Sequence, residues 1–303
     1  MRIAVLGAGA MGALFGSYLS RRHTVTLVDI NQPLVEKISS QGVLVTEPDR
    51  TRKRFYPKAV WDTSQMEPVD LVIVFVKAMY TRISLKANRT LIGPDTYIMT
   101  LQNGGGHEEI LREFVDDAHV IIGTTQHNCT VVSQGQINHG GAGQTHIGSH
   151  TGSADALKPI ADAFTECGLA TDCSAQVQSL IWDKLFTNVS ASVLTGILQV
   201  PLGYISRNPD AWMLCQTLIR EAVAVANADG MRFDPAKKIE EVRTVCDKSP
   251  NGYTSIWADL KNGRKSEVDT ISGYVVRASR RNGTAAPTHE MMVHLVHSME
   301  ARS

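Results

Sequence analysis

The apolar residues of this chain fall into two rhythms, and the change from one to the other divides it. Up to about residue 175, short aliphatic and β-branched runs recur: "RIAVL" near the start, "HTVTLVDI" (23–30), "DLVIVFVK" (70–77), "TYIMTLQN" (96–103) and "AHVIIGTT" (118–125). Such runs read as strands buried on both faces. Between some of them the apolar residues take helical spacing, as in "MGALFGSYLSRR" (11–22), "PLVEKISSQG" (33–42) and "HEEILREFV" (107–115). Strand alternating with helix predicts a parallel sheet covered on both sides. The stretch 135–149, "GQINHGGAGQTHIGS", places two short strands around a glycine-rich turn and predicts a hairpin at the sheet edge.

Beyond residue 175 the strand rhythm stops. Amphipathic helical patterns cover roughly 176–198, 209–229, 235–246, 255–261, 267–282 and 288–301. Pro209 and Pro235 suit helix starts, and Gly230 and Gly283 suit helix ends. The expected fold is therefore α/β: an N-terminal Rossmann-type doubly wound sheet over residues 1–174, followed by an all-α C-terminal domain over 175–303.

Composition narrows the classes of function. The 303 residues suit two domains, and 43% hydrophobic residues suffice for real cores. Thirty basic residues balance thirty acidic ones, so no strong field recruits nucleic acid. Five cysteines (129, 167, 173, 215 and 246) form no C-x-x-C pair and no zinc spacing, which fits a reducing cytosol. The N-terminal "MRIAVLGAGAMGALFG" is broken by glycines and too short for a membrane span of about 20 residues. These features describe a soluble cytoplasmic protein with neither nucleic acid nor membrane as partner. The helical half has apolar faces enough for a homodimer.

"GAGAMG" (7–12) matches G-x-G-x-x-G, follows the first strand and opens the first helix. Gly7 permits a tight turn, Gly9 lets backbone approach a pyrophosphate, and Gly12 lets the helix pack closely. Ala10 and Met11 begin the helix whose free N–H groups would receive the phosphates. An ordinary β–α turn is the plainer explanation, and the context favours nucleotide binding. Asp29 ends the second strand at the distance where a carboxylate accepts bonds from the adenosine ribose and repels a 2′-phosphate, favouring NAD over NADP. Lys77 and Asn103 end two further strands, where open α/β sheets bind ligands; each is as consistent with simple solvation.

A second constellation lies in "IWDKLFTNVSAS" (181–192). Lys184, Asn188 and Ser192 recur at i, i+4 and i+8 beside an apolar stripe of Ile181, Leu185, Val189 and Val193. A solvent face would explain a polar stripe. However, residues 189–197 carry no charge, and asparagine and serine are middling helix formers, poor choices for a face with no other duty. Downstream, Ser266 with Asp269 reads as a capping-box variant that makes Glu267 a first-turn residue, and Ser255 reads as the N-cap of the helix that follows it.

In this order the elements resemble the ketopantoate reductase (2-dehydropantoate 2-reductase) family over nearly the whole chain. The resemblance rests on "GAGAMG", "VKA" (76–78), "NGGG" (103–106), "WDKLFTN" (182–188) and "TSIWADLKNGRKSEVDTISG" (254–273). It implies hydride transfer from a nicotinamide cofactor to a 2-keto acid, giving a D-2-hydroxy acid. It further implies that Lys184 is the catalytic lysine with Glu267 as its acidic support, that Asn188 and Ser255 bind substrate, and that Lys77 and Asn103 line the nicotinamide side. Ser192 extends the substrate stripe, and Asn103 serves substrate as well as cofactor. NADP(H) is the family's usual cofactor, whereas Asp29 stands where NADP users carry a basic residue. Ser192 and Ser272 stand where the family pattern shows asparagine. These departures keep open an NAD-dependent D-2-hydroxy acid dehydrogenase acting on branched or aromatic keto acids, and a nucleotide-binding sensor without turnover. No metal is expected: in "HEMMVH" (289–294) the second histidine falls one place late for H-E-x-x-H, and "HIGSH" (146–150) reads as a strand end and loop.

Overall fold

A computed structural model describes residues 1–149 and 154–302. The chain divides into two compact units, one of Met1–Gln102 with His107–Leu180, the other of Asn103–Gly106 with Ile181–Ser303.

The first unit is built from β1 (Arg2–Leu6), α1 (Ala10–Leu19), β2 (Thr24–Val28), α2 (Gln32–Gln41), β3 (Val43–Thr46), β4 (Arg52–Phe55), β5 (Lys58–Val60), β6 (Leu71–Val74), α3 (Thr81–Ala87) and β7 (Tyr97–Thr100). It continues with α4 (His107–Leu111), β8 (Val120–Thr125), β9 (Asn128–Ser133), β10 (Gln136–Gly141), β11 (Thr145–Gly148), α5 (Lys158–Glu166) and β12 (Thr171–Cys173). Eight strands form one sheet in the order β12-β11-β8-β7-β6-β1-β2-β5. Its pairs are parallel except β8 with β11. The winding reverses between β1 and β6. Leu6 lies across from Val28 on one side and Val74 on the other, so the segments after β1, β2 and β6 leave the sheet at one edge. That switch point is where open α/β sheets bind ligands.

The expected 135–149 hairpin does not form. β10 pairs antiparallel with β9 and parallel with β3 in a separate four-stranded sheet, β4-β3-β10-β9, while β11 joins β8 and β12 in the large one. The true hairpin turns one step earlier, through Gln134 and Gly135, where Gly135 has φ +69°. Strand alternation marks that strands exist, but not which of two sheets they join. A buried polar chain ties α1 to this small sheet. The Tyr18 hydroxyl donates to Glu47 at 2.6 Å, Glu47 contacts His139 Nδ1 at 3.2 Å, and His139 Nε2 meets His127 Nδ1 at 3.0 Å. Burial pushes His127 down to about 4, so its imidazole is neutral at physiological pH. Phe15, Leu14 and Leu19, fully buried on α1, fill the core beneath both sheets.

The second unit is helical: α6 (Val177–Thr187, beginning in the first unit), a π-helical turn (Asn188–Ser192), α7 (Val193–Leu198), α8 (Leu202–Arg207), α9 (Pro209–Ala228), α10 (Pro235–Lys248), α11 (Ser255–Lys261), α12 (Ser272–Asn282) and α13 (Pro287–Glu300). Asn208 and Asp234 cap α9 and α10 by accepting from Ala211 and Lys237 amides, each cap worth about 1 kcal/mol, and proline follows each cap. Gly283 closes α12 in the left-handed conformation. Of the predicted apolar stripe, Leu185, Val189 and Val193 are fully buried and Ile181 half-buried. Around them pack Trp182, Phe186, Leu218 and Val275.

Two expected helices differ. The 176–198 pattern is interrupted by the π turn, and the helix expected from 267 starts only at Ser272. Ile271, at φ −95° and ψ −96°, stops helical geometry from running through.

Candidate active site

In the first unit the glycine loop joins β1 to α1. Gly7 has φ +95°, and a methyl group on it would lie 2.8 Å from the Val76 amide nitrogen. One on Gly12 would lie 1.8 Å from the Gly7 carbonyl oxygen, so the turn and helix pack too tightly for any side chain. Gly9 is different: exposed, and with no atom of the described residues, its chain neighbours aside, within 4 Å of the methyl position. No packing demands glycine there, which fits a residue kept bare for a ligand. Gly9 is also the N-cap of α1 without a side-chain cap, and the first turn, which begins with half-buried Ala10 and Met11, carries no acid. Its amides are therefore suited to an anion.

Asp29 lies one residue past β2. Its Oδ2 accepts the Ala8 amide at 2.8 Å and its Oδ1 accepts the Asn31 amide at 2.9 Å. It thus turns the chain toward α2 and also holds its carboxylate against the glycine loop. The uncapped amides, bare Gly9 and adjacent carboxylate together fit a dinucleotide. Lys77 does not end a strand: β6 stops at Val74, and half-buried Lys77 begins a 3₁₀ turn, its carbonyl accepting the Tyr80 amide at 2.8 Å. The Gln102 side chain draws this bend in by donating to the Val76 carbonyl at 2.5 Å.

The second unit carries the other candidates. Burial pushes the Lys184 ammonium down to about 8, and the Glu267 carboxylate opposes that by favouring the charged form. The residue retains some solvent access, as a proton donor to a substrate requires. Asn188 is half-buried and Ser192 buried, at 6% exposed. In an α-helix each four-residue step overshoots a turn by about 40°. The π turn holds an extra residue, so the step from Asn188 to Ser192 corrects the drift accumulated from Lys184 to Asn188. Local hydroxyls make this turn. Ser190 Oγ donates to the Phe186 carbonyl at 2.5 Å, and Thr195 Oγ1 donates to the Ser192 carbonyl at 2.7 Å.

Ser255 is not a cap. Thr254 caps α11, its Oγ1 accepting from the Trp257 amide at 3.3 Å and lying 2.8 Å from Thr195 Oγ1, so the cap also docks on α7. Ser255 is exposed in the first helical position. The Ser266–Asp269 capping box is absent as well. The Ser266 amide and hydroxyl both donate to Glu300, and its Oγ accepts from Val268 rather than Asp269. Asp269 instead pairs with His297 at 3.1 Å. Glu267 therefore sits in an irregular turn ahead of α12, its carbonyl accepting from Thr270 and Ile271. Ser272 Oγ is buried with no hydrogen-bond partner among the described residues.

Asn103 likewise does not end a strand. β7 stops at Thr100, and Asn103–Gly106 belong to the helical unit. Thus Lys184, Asn188, Ser192, Ser255, Glu267 and Asn103 fall in one unit, and Gly7, Gly9, Ala10, Met11, Gly12, Asp29 and Lys77 in the other. Thr254 and Thr270 escaped the reading of the sequence. Threonine caps about as readily as serine, so Thr254 could have been weighed equally with Ser255.

The described residues include no group of three or more metal-ligating side chains. His289 is buried with Nε2 2.9 Å from the Leu218 carbonyl oxygen, and His294 is exposed. His146 pairs with Asp172 at 2.5 Å just before β11 ends; His150 lies outside the described residues.

Two family models match this chain: "Ketopantoate reductase PanE/ApbA" over residues 3–152 and "Ketopantoate reductase PanE/ApbA C terminal" over 176–300. The 2-dehydropantoate 2-reductase of Halobacterium salinarum is 31% identical over 299 residues, 98% of each chain. That of Lactococcus lactis is 30% identical over 306 residues, 99% of this chain and 98% of its own. Among solved structures, D-mandelate dehydrogenase in a ternary complex with NADH and anilino(oxo)acetate is similar with a TM-score of 0.92 and 29% identity, over 100% of this chain and 99% of that one.

Proposed function

The chain belongs to the ketopantoate reductase family, and from that premise we propose that it reduces the keto group of a 2-keto acid with a nicotinamide cofactor, converting 2-dehydropantoate to (R)-pantoate. The observation that carries this reading is Lys184: a desolvated ammonium with its pKa near 8, under the influence of Glu267.

Bound cofactor would supply a hydride to the carbonyl carbon. Negative charge then builds on the carbonyl oxygen, where the Lys184 ammonium stabilises it and delivers the proton. An ordinary lysine is too weak an acid to do this readily near neutral pH; burial makes it stronger, while Glu267 keeps it charged until needed. Asn188, one turn along, hydrogen-bonds the same oxygen. Ser255, not committed to capping, takes the substrate carboxylate, and Asn103 adds a polar contact to substrate and nicotinamide. In the first unit the 7–12 loop, with Ala10 and Met11 opening its helix, would hold the pyrophosphate, and Lys77 would serve the nicotinamide side. Asp29 would accept from the ribose diol, and its charge would favour NAD(H) over NADP(H).

A second reading is an NAD-dependent D-2-hydroxy acid dehydrogenase acting on branched or aromatic keto acids. Asp29 and the similarity to an NADH-bound D-mandelate dehydrogenase favour it. So do the short side chains of Ser192 and Ser272, which take up less room than asparagine. One experiment separates the readings: following NADH and NADPH absorbance with ketopantoate, branched 2-keto acids and benzoylformate. Ketopantoate turned over best supports the first, and benzoylformate turned over without ketopantoate supports the second. Cofactor binding with no oxidation on any substrate would leave a nucleotide sensor.

The same proposal places the enzyme in the cytoplasm as a homodimer. Five free cysteines suit a reducing compartment, and no helix among the described residues is long and apolar enough to cross a membrane. Light scattering of the purified protein tests the dimer.

A further inference from the structure

We propose that Thr270 is a positioning residue that clasps the Asn103 loop to the Glu267 turn; the kinetic part of this inference rests on the keto-acid reading above. Thr270 lies three residues after Glu267, and its amide donates to the Glu267 carbonyl at 3.1 Å. Its hydroxyl reaches two carbonyls, Glu267 O at 3.2 Å and Asn103 O at 3.3 Å. Its own carbonyl accepts the Gly105 amide at 2.9 Å. One threonine thus bonds the loop bearing Asn103 in both directions and holds the turn bearing Glu267.

The loop is shaped for this grip. A methyl group on Gly104, whose φ is +102°, would lie 2.3 Å from the Thr270 carbonyl oxygen, and one on Gly105 would lie 2.4 Å from the Tyr274 ring. Glycines at 104 and 105 therefore let the chain come down onto Thr270 and Tyr274. Tyr274 in turn packs at a tilt against Trp182, with ring centroids 5.2 Å apart, two residues before Lys184. The Thr270 clasp therefore joins the backbones of two proposed site residues, and its neighbour Tyr274 packs on the helix of a third. Thr270 touches no reacting atom; it sets where Asn103 stands relative to the acid–base pair.

The test compares Thr270→Val, which keeps the shape and removes the hydroxyl, with Thr270→Ser, which keeps the hydroxyl. One net hydrogen bond predicts a fall in kcat/KM of roughly 3- to 10-fold for the valine variant, carried mainly by a higher KM for the keto acid. Thr270→Ser should remain within about twofold of the parent. In an Asn103→Ala background, Thr270→Val should add little, because the clasp acts through Asn103. Independently of activity, amide hydrogen exchange over residues 103–106 should quicken in Thr270→Val and not in Thr270→Ser. Unchanged exchange in the valine variant, or a serine variant as impaired as valine, would overturn the proposal. If the parent reduces no keto acid, the keto-acid reading fails, and the exchange measurement still decides the clasp.

Discussion

The two glycine-rich loops look alike in sequence and do opposite things. In "GAGAMG" the outer glycines are required by the chain's own packing, while Gly9 faces a space that no protein atom fills. In "NGGG", Gly104 and Gly105 face Thr270 and Tyr274 at distances no side chain could occupy. Gly9 in the first loop leaves open the room that the proposed cofactor needs, whereas the glycines of the second loop make room for the protein itself. A glycine pattern records that something approaches the backbone closely; only the surrounding atoms say what.

The proposed function puts cofactor binding in the first unit and acid–base chemistry in the second, and Lys184→Ala tests that division with the largest expected effect. kcat should fall by about 10²–10⁴, while cofactor affinity, measured by fluorescence titration, changes by less than about threefold. Comparable loss of both would erase the division. The same lysine sets the pH response. Reduction needs the ammonium, so kcat should hold below pH 8 and fall about tenfold per unit above it, near a hundredfold by pH 10; oxidation of the hydroxy acid should show the opposite trend. The sign for stability follows from burial lowering the folded-state pKa. The cost of the buried charge is fully present below about pH 8 and is relieved as pH rises toward the ordinary lysine value.

Next in size is Gly105→Ala. Its methyl group would press on the Tyr274 ring, which is 4% exposed and packed against Trp182, so about 1–3 kcal/mol of stability and several degrees of Tm should be lost. The smallest effect belongs to Gly9→Ala. Tm should stay within about a degree, because nothing in the protein meets the added methyl group, while cofactor Kd weakens about tenfold through a displaced pyrophosphate. A Gly9→Ala protein as destabilised as Gly105→Ala would remove the distinction between the loops.

Much of the fold was legible because it follows from local pattern. The buried runs that became β1, β2, β6, β7 and β8 and the proline-led starts of α9 and α10 need only near neighbours in sequence. Details of the site were less so. Ser255 and Thr254 are adjacent and chemically equivalent as caps; docking against Thr195 on α7 selects Thr254. Ser266 and Asp269 have capping-box spacing, yet Glu300, 34 residues away, takes Ser266 and His297 takes Asp269. The small sheet depends on β3 meeting β10 some ninety positions later, which no local rhythm announces.

By itself the sequence determined the order and type of most elements, the glycine turn ahead of α1 and the polar spacing of Lys184, Asn188 and Ser192, because each is written in residues a turn or a strand apart. The tertiary structure decided the π turn that realigns that spacing, the burial and the Glu267 charge that set the acidity of Lys184, and the grip of Thr270 on the Asn103 loop. Hydrogen-bond partners and desolvation come from residues distant along the chain, so they exist only once the fold has brought those residues together.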